Sequence, residues 1–123
     1  MEVNDITSGI IGAAIRVHRE LGPGLLESSY EACLCYELSR QGVLFARQKK
    51  LPLIYDGQVM KINYRMDLVV ADAVIVELKS VERIERIHVA TVLTYLRLSH
   101  YSVALLINFH STTLKEGIRR IVL

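Results

Sequence analysis

Apolar residues recur along this chain with two different periods, and the change of period divides it. Between Ile6 and Leu21, residues Ile10, Ile11, Ala14, Ile15 and His18 fall at helical spacing, which predicts a first helix with Asn4, Asp5 or Thr7 as its cap. Gly22-Pro23-Gly24 stops it, because proline breaks the helical ladder and glycine frees the backbone. A second helix is predicted from Leu26 to Arg40, ended by Gly42. Glu27 lies in its first turn, where a carboxylate suits the helix dipole. Beyond Gly42 the period shortens. Phe45–Tyr55 reads as a strand, Asp56-Gly57 as a tight turn, Val59–Val70 as one long or two joined strands, and Val74–Ser80 as another. Pro52 marks the first of these as an edge strand or an irregular one. Glu82–Leu98 is helical again, and Ser102–Phe109 is an apolar strand of the buried type. The tail from Leu114 is short and mixed, with Ile118–Leu123 as a final edge strand.

The order is helix-helix-strand-strand-strand-helix-strand. The link from Val74–Ser80 through a helix to Ser102–Phe109 has the length of a parallel crossover unit, whereas the earlier strands are joined by tight turns and must be antiparallel. The expected fold is therefore α/β, a mixed sheet flanked by helices. At 123 residues, 1–123 form a single expected domain that needs neither disulfide nor structural metal to hold its core.

Composition narrows the picture only a little. Half the residues are hydrophobic and about a quarter charged, which excludes a disordered chain. Runs such as Val103–Ile107 are too short to span a bilayer, and Met1–Asp5 lacks the pattern of a signal peptide, so a cytoplasmic protein with no membrane association is expected. Cys33 and Cys35 are two apart in a helical stretch and point in different directions, so they read as small buried hydrophobes. The net charge of +2 neither requires nor forbids nucleic-acid binding. Basic residues cluster at Arg47/Lys49/Lys50, Arg83/Arg86 and Arg119/Arg120, each of which reads equally well as a solvated face.

Candidate chemistry lies in two apolar strands. Asp67 sits within Tyr64–Val70, and Glu77 and Lys79 sit within Val74–Lys79. Residues two apart on a strand share a face, so Glu77 and Lys79 project together. Charges in such strands are costly to bury unpaired, and a hard cation between two carboxylates is one reason to keep them. A neighbouring lysine then orients or deprotonates water, or steadies a phosphate's charge. A structural ion pair of Asp67 with Arg65 or Lys79 satisfies the same residues. Register supplies a check. Asp67 faces Glu77 only if Val70 pairs with Val74 across a three-residue turn, Ala71-Asp72-Ala73; a two-residue turn sets Asp67 against Val76 on the wrong face.

The spacing of Asp67 and Glu77-Leu78-Lys79 resembles the signature of the PD-(D/E)xK nuclease superfamily, with Met66 in place of the nominal proline. Gly24-Leu-Leu-Glu27-Ser-Ser-Tyr30 resembles the bacterial GxxExxY family within it, and further similar stretches are Tyr64–Val70, Val76–Val81, Leu93–Leu96 and Leu105–Phe109. The resemblance runs from about Ile6 to Val122. It implies a restriction-endonuclease-like core, α-β-β-β-α-β, carrying here an extra N-terminal helix. It implies a Mg²⁺-dependent nuclease, with Mn²⁺ able to substitute, that hydrolyses phosphodiester bonds in DNA. Asp67 and Glu77 would then hold the metal, Lys79 would act on the water, and Glu27 would join the site directly or through water. A first-turn dipole partner is an equal reading of Glu27, and Tyr30, one turn on, reads as packing. The family commonly has glutamine where this chain has Thr91, in a stripe with His88 and Tyr95. That departure keeps a catalytically degenerate module, binding nucleic acid or a protein partner, as the alternative. A core this small covers little DNA alone, so a homodimer or a place in a larger complex accompanies either reading.

Overall fold

The computed structural model describes residues 2–123. Its elements are α1 (Val3–Leu21), α2 (Glu27–Arg40), β1 (Phe45–Tyr55), β2 (Gln58–Val70), β3 (Val74–Lys79), α3 (Arg86–Leu98), β4 (Val103–Asn108), a 3₁₀ turn at Leu114–Gly117 and β5 (Ile118–Val122). The five strands form one sheet in chain order, antiparallel throughout except between β3 and β4, which α3 joins in parallel. The expected α-β-β-β-α-β core with a helix in front is present as α2 to β4 behind α1, a mixed sheet flanked by helices, and β5 adds the final edge strand.

Helices cover the sheet on both sides. Leu68, Val70, Val74, Val76, Leu78, Leu105 and Ile107 turn one way and pack with Ile6, Ile10, Ala14, Tyr30, Leu34 and Leu38 of α1 and α2. Val69, Ile75, Ala104 and Leu106 turn the other way, onto Val92 and Leu96 of α3. β3 and β4 are therefore buried on both faces, which is why they read as unbroken apolar runs. Cys33 and Cys35 are free thiols, and burial pushes Cys35 up, as suits a packing residue.

Several boundaries differ from the sequence expectation. α1 begins at Val3, with Glu2 at its cap position and no side chain closing it, so Asn4, Asp5 and Thr7 lie inside the helix. Thr7 Oγ1 instead donates to the Asn4 carbonyl at 3.2 Å. α3 begins at Arg86 rather than Glu82, because Glu85 and His88 form a capping box in which the Glu85 N–H donates to His88 Nδ1 at 2.9 Å. β2 is one continuous strand. Asp56 and Gly57 both adopt positive φ (53° and 72°), the conformation of a two-residue hairpin turn whose twist matches its strands. β1 is an edge strand, and its register shifts between Pro52 and Ile54, where the proline has no N–H to give.

Candidate active site at the fork between β2 and β3

The β2–β3 ladder pairs Val70 with Val74, Val69 with Ile75 and Leu68 with Val76, and then stops. The turn between them is Ala71-Asp72-Ala73, the odd length that the chemistry requires. It is tied down by the Ala73 N–H donating to Val70 O (3.0 Å), the Ala71 N–H donating to Leu44 O (2.8 Å) and the Tyr101 hydroxyl donating to Asp72 Oδ1 (2.7 Å). One step past the last pair, Asp67 and Glu77 stand on facing strands. Their carboxylates take over from the ladder: the Asp67 N–H donates to Glu77 Oε2 at 2.6 Å, and the Leu78 N–H donates to Asp67 Oδ2 at 2.9 Å. Two backbone donors that the separating strands would leave unpaired are thus satisfied.

The partner strand changes at the same place. Phe45 packs on the α1–α2 side and Leu51 on the α3 side, though strict alternation would give them one face; Leu68 and Met66 differ in the same way. The pairs Arg47–Leu68 and Lys49–Met66 keep one register across this crossover. Gln48, between Arg47 and Lys49, has φ 50°, a left-handed conformation uncommon for a residue with a Cβ. Its amide donates to Glu31 Oε1 at 2.8 Å and makes a longer contact, 3.3 Å, to Asp67 Oδ1. Glu31, buried on α2, also accepts from Arg47 Nε (3.2 Å) and Nη2 (3.0 Å). Glu31 and Gln48 thereby steady the outer oxygen of Asp67.

Electrostatics at the fork is unbalanced. Glu77 is 6% exposed, and burial, followed by the charge of Asp67, pushes its carboxyl up to about 8. Burial also raises Asp67, against the opposing effects of the Leu78 N–H, the Gln48 amide and the Lys79 charge. Lys79 follows Glu77 on the same face, and its charge lowers both acids, yet it makes no ion pair within 4 Å among the described residues. The ion-pair reading of Asp67 with Arg65 or Lys79 is therefore not what the fork contains.

Glu27 stands beside this pair, not within it. Its charge contributes to raising Glu77, but its Oε2 accepts from the Ser80 N–H at 3.0 Å, and Ser80 Oγ donates to Leu25 O at 2.7 Å. Tyr30 stacks on Phe109 with ring centroids 4.4 Å apart, and its hydroxyl donates to Gly22 O and accepts from the Leu25 N–H. It packs and locks the loop that leads into Glu27. His88 is spent on the α3 cap, and the Thr91 hydroxyl on the Ile87 carbonyl at 2.9 Å, so neither reaches the fork. From the same stripe Tyr95 does face it: burial and the charges of Glu77 and Asp67 all raise its phenol, and its ring lies 5.9 Å from that of Tyr64. Asn108, opposite Lys79 on β4, accepts from the Val81 N–H (3.1 Å) and donates to Val81 O (2.9 Å), fixing the chain just beyond the lysine.

Sequence reasoning named Asp67, Glu77, Lys79 and Glu27 as candidates; around them the structure adds Glu31, Gln48, Tyr95 and Asn108, which it did not name. The position of Glu31, one helical turn beyond Glu27, and that of Tyr95, one turn beyond Thr91, were the available signals. Among the described residues, no group of three or more His, Cys, Asp or Glu side chains is set to hold an ion. The fork nonetheless fits a hard divalent cation. Its donors are carboxylate oxygens, two negative groups are crowded in a buried setting, and among the described residues only Oε2 of Glu77 accepts a hydrogen bond. No helix among the described residues is long and apolar enough to cross a membrane.

The family model described as the PD-(D/E)XK nuclease superfamily matches residues 4–121. No curated protein and no solved structure matches the chain.

Proposed function

The chain belongs to the PD-(D/E)XK nuclease superfamily, and on that premise we propose that it is a Mg²⁺-dependent nuclease that hydrolyses phosphodiester bonds in DNA. The resemblance of Gly24–Tyr30 to the GxxExxY motif supports a place in that branch. One observation carries the reading: two carboxylates share a buried fork where Glu77 is pushed up to about 8, beside a lysine that makes no ion pair among the described residues. Such a fork is short of positive charge, and a cation with a phosphodiester would complete it.

Asp67 and Glu77 would hold Mg²⁺, or Mn²⁺ in its place, with Glu27 supporting them. When bound, the ion supplies Lewis-acid polarisation of the phosphodiester. The protein's own groups do the rest. Lys79 places an ammonium on the same face as Glu77, where it orients the attacking water and steadies charge on the phosphate. Gln48, held by Glu31, keeps Asp67 aimed into the fork. Glu27 and Asn108 fix the backbone on either side of Ser80, so that Lys79 leaves a rigid strand end.

Purified protein mixed with supercoiled plasmid and Mg²⁺ or Mn²⁺ tests this. Nicked and linear products are expected, and Asp67→Asn or Lys79→Ala should each slow cleavage by about 100-fold or more. Cleavage that survives both substitutions unchanged refutes the assignment. Thr91 supports a second reading, a degenerate module that binds without cutting, because its hydroxyl is turned back onto Ile87. That reading predicts salt-sensitive DNA binding with no cleavage in either metal.

A further inference from the structure

Beyond Gln48 and Asp67 the β1–β2 ladder leaves the body of the protein as a two-stranded arm. Its pairs run from Lys49–Met66 out to Tyr55–Gln58, a length of roughly 20 Å at about 3.3 Å per residue, base included. The base is anchored, since Leu51 and Met66 are buried with Val92 and Leu96 of α3. Farther out, from Gln58 to Arg65, every residue is exposed except the half-buried Met60. Charge is segregated onto this arm. Residues 49–66 hold four cations and one anion, net +3, whereas the rest of the chain holds eleven cations and twelve anions, net −1.

One of the four cations is committed within the protein, Lys49 to the Tyr101 hydroxyl at 2.9 Å; Arg47, just inside the arm, is held by Glu31. Lys50, Lys61 and Arg65 are exposed and make no ion pair among the described residues. Pairing of Lys50 with Arg65, of Leu51 with Tyr64 and of Pro52 with Asn63 puts Lys50, Asn63 and Arg65 on one face and Leu51 and Tyr64 on the other, with Lys61 exposed farther out, where the register shifts. Lys50 and Arg65 are two residues from Gln48 and Asp67, so the basic face begins where the candidate chemistry ends.

We propose that this arm lies along the major groove of double-stranded DNA, with Lys50, Lys61 and Arg65 on the phosphates, and so sets the duplex against the fork. The proposal rests on the nucleic-acid reading of the fork and adds the surface and the form of the substrate. A two-stranded ribbon fits the B-form major groove, about 12 Å wide, but not the deep and narrow major groove of duplex RNA. The body, net −1, offers phosphate no net attraction, whereas the arm, net +3, does. The rival occupant is a second copy of this chain, docked on Ile62 and Tyr64.

Fluorescence anisotropy with a labelled 25-base-pair DNA duplex, in EDTA so that nothing is cut, reads the arm directly. Relative to wild type, the triple variant Lys50→Ala/Lys61→Ala/Arg65→Ala should bind at least about tenfold more weakly, with a slope of log K against log salt shallower by about three. The outermost single change, Lys61→Glu, should move both quantities in the same direction, and Arg119→Ala/Arg120→Ala on β5 should move neither. A triple variant with wild-type affinity and slope overturns the proposal. An RNA duplex of the same sequence bound as tightly as the DNA overturns the groove placement. A wild-type dimer in velocity sedimentation that the triple variant dissolves overturns it in favour of the second copy. The two readings fail separately. Arm-dependent binding without cleavage in Mg²⁺ or Mn²⁺ removes the nuclease and keeps the arm, whereas cleavage indifferent to the triple variant keeps the nuclease and removes the arm.

Discussion

From Leu68 to Val70, β2 is buried and its side chains reach both helical layers, whereas from Gln58 to Arg65 nearly every residue of the same strand meets solvent. Asp67 is the boundary between the two stretches. The inner half has the dielectric of a core, which raises a carboxyl. The outer half has the access of a surface, which a substrate needs. An acid placed wholly in the first would stay protonated and unreachable, and one placed wholly in the second would keep its ordinary pKa. At the boundary Asp67 has both properties, and Glu77, buried opposite it on β3, is raised further.

The largest test of this division is mechanical. Leu68→Ala removes a side chain that is fully buried under α1 and α2, and should cost about 2–5 kcal/mol in urea denaturation. Ile62→Ala, six residues out on the arm and 55% exposed, should cost less than about 0.5 kcal/mol. Equal costs would mean that the arm is packed after all and that the boundary at Asp67 is not one of burial.

A second test uses pH, in the metal-free protein. Unfolded, the Glu77 carboxyl titrates near its ordinary 4.5; folded, it is held up to about 8. Between those values the folded protein keeps a proton that the unfolded chain has lost. Unfolding then releases a proton, and raising the pH favours it. The contribution is intact below about 4.5 and is lost as pH climbs through about 8. Asp67, also raised, acts in the same sense. At roughly 1.4 kcal/mol per unit the fall amounts to a few kcal/mol. Thermal melts of wild type should decline from pH 5 to pH 8, Glu77→Gln should flatten that decline, and added Mg²⁺ or Mn²⁺ should offset it in wild type. An identical decline in Glu77→Gln would place the pH sensitivity elsewhere.

Much of the inner half was legible in the sequence. The apolar runs of β3 and β4 mark strands covered on both faces, and the chemistry of Asp67 and Glu77 demanded the odd turn that Ala71-Asp72-Ala73 forms. The boundary itself was not legible. Glutamine carries no signal for a left-handed backbone, so the crossover at Gln48 is invisible to pattern. Glu31 draws its meaning from Arg47 and Gln48, sixteen and seventeen residues on, which local spacing does not join to it. The late start of α3 has a similar cause. Val81 is pinned by Asn108, twenty-seven residues away, so the chain cannot coil until it has passed that clamp.

The smallest effect concerns the turn that holds the inner half in register. Ala71 and Asp72 both adopt left-handed φ, 53° and 48°, in a turn that must count three residues if Asp67 is to face Glu77. For an alanine that conformation costs about 1 kcal/mol. Three contacts hold it there: the Ala71 N–H to Leu44 O, the Ala73 N–H to Val70 O, and Tyr101 to Asp72. None of them uses the Ala71 side chain, so Ala71→Gly should leave the register alone and remove the strain. Glycine's greater freedom in the unfolded chain takes back part of the gain. The net expectation is a stabilisation of about 0.5 kcal/mol in urea denaturation, with cleavage and arm-dependent DNA binding unchanged. A loss of stability would show that the Ala71 methyl packs more firmly than its partial burial suggests. Stabilisation with lost cleavage would show that the turn's stiffness, and not its length alone, holds the two carboxylates face to face.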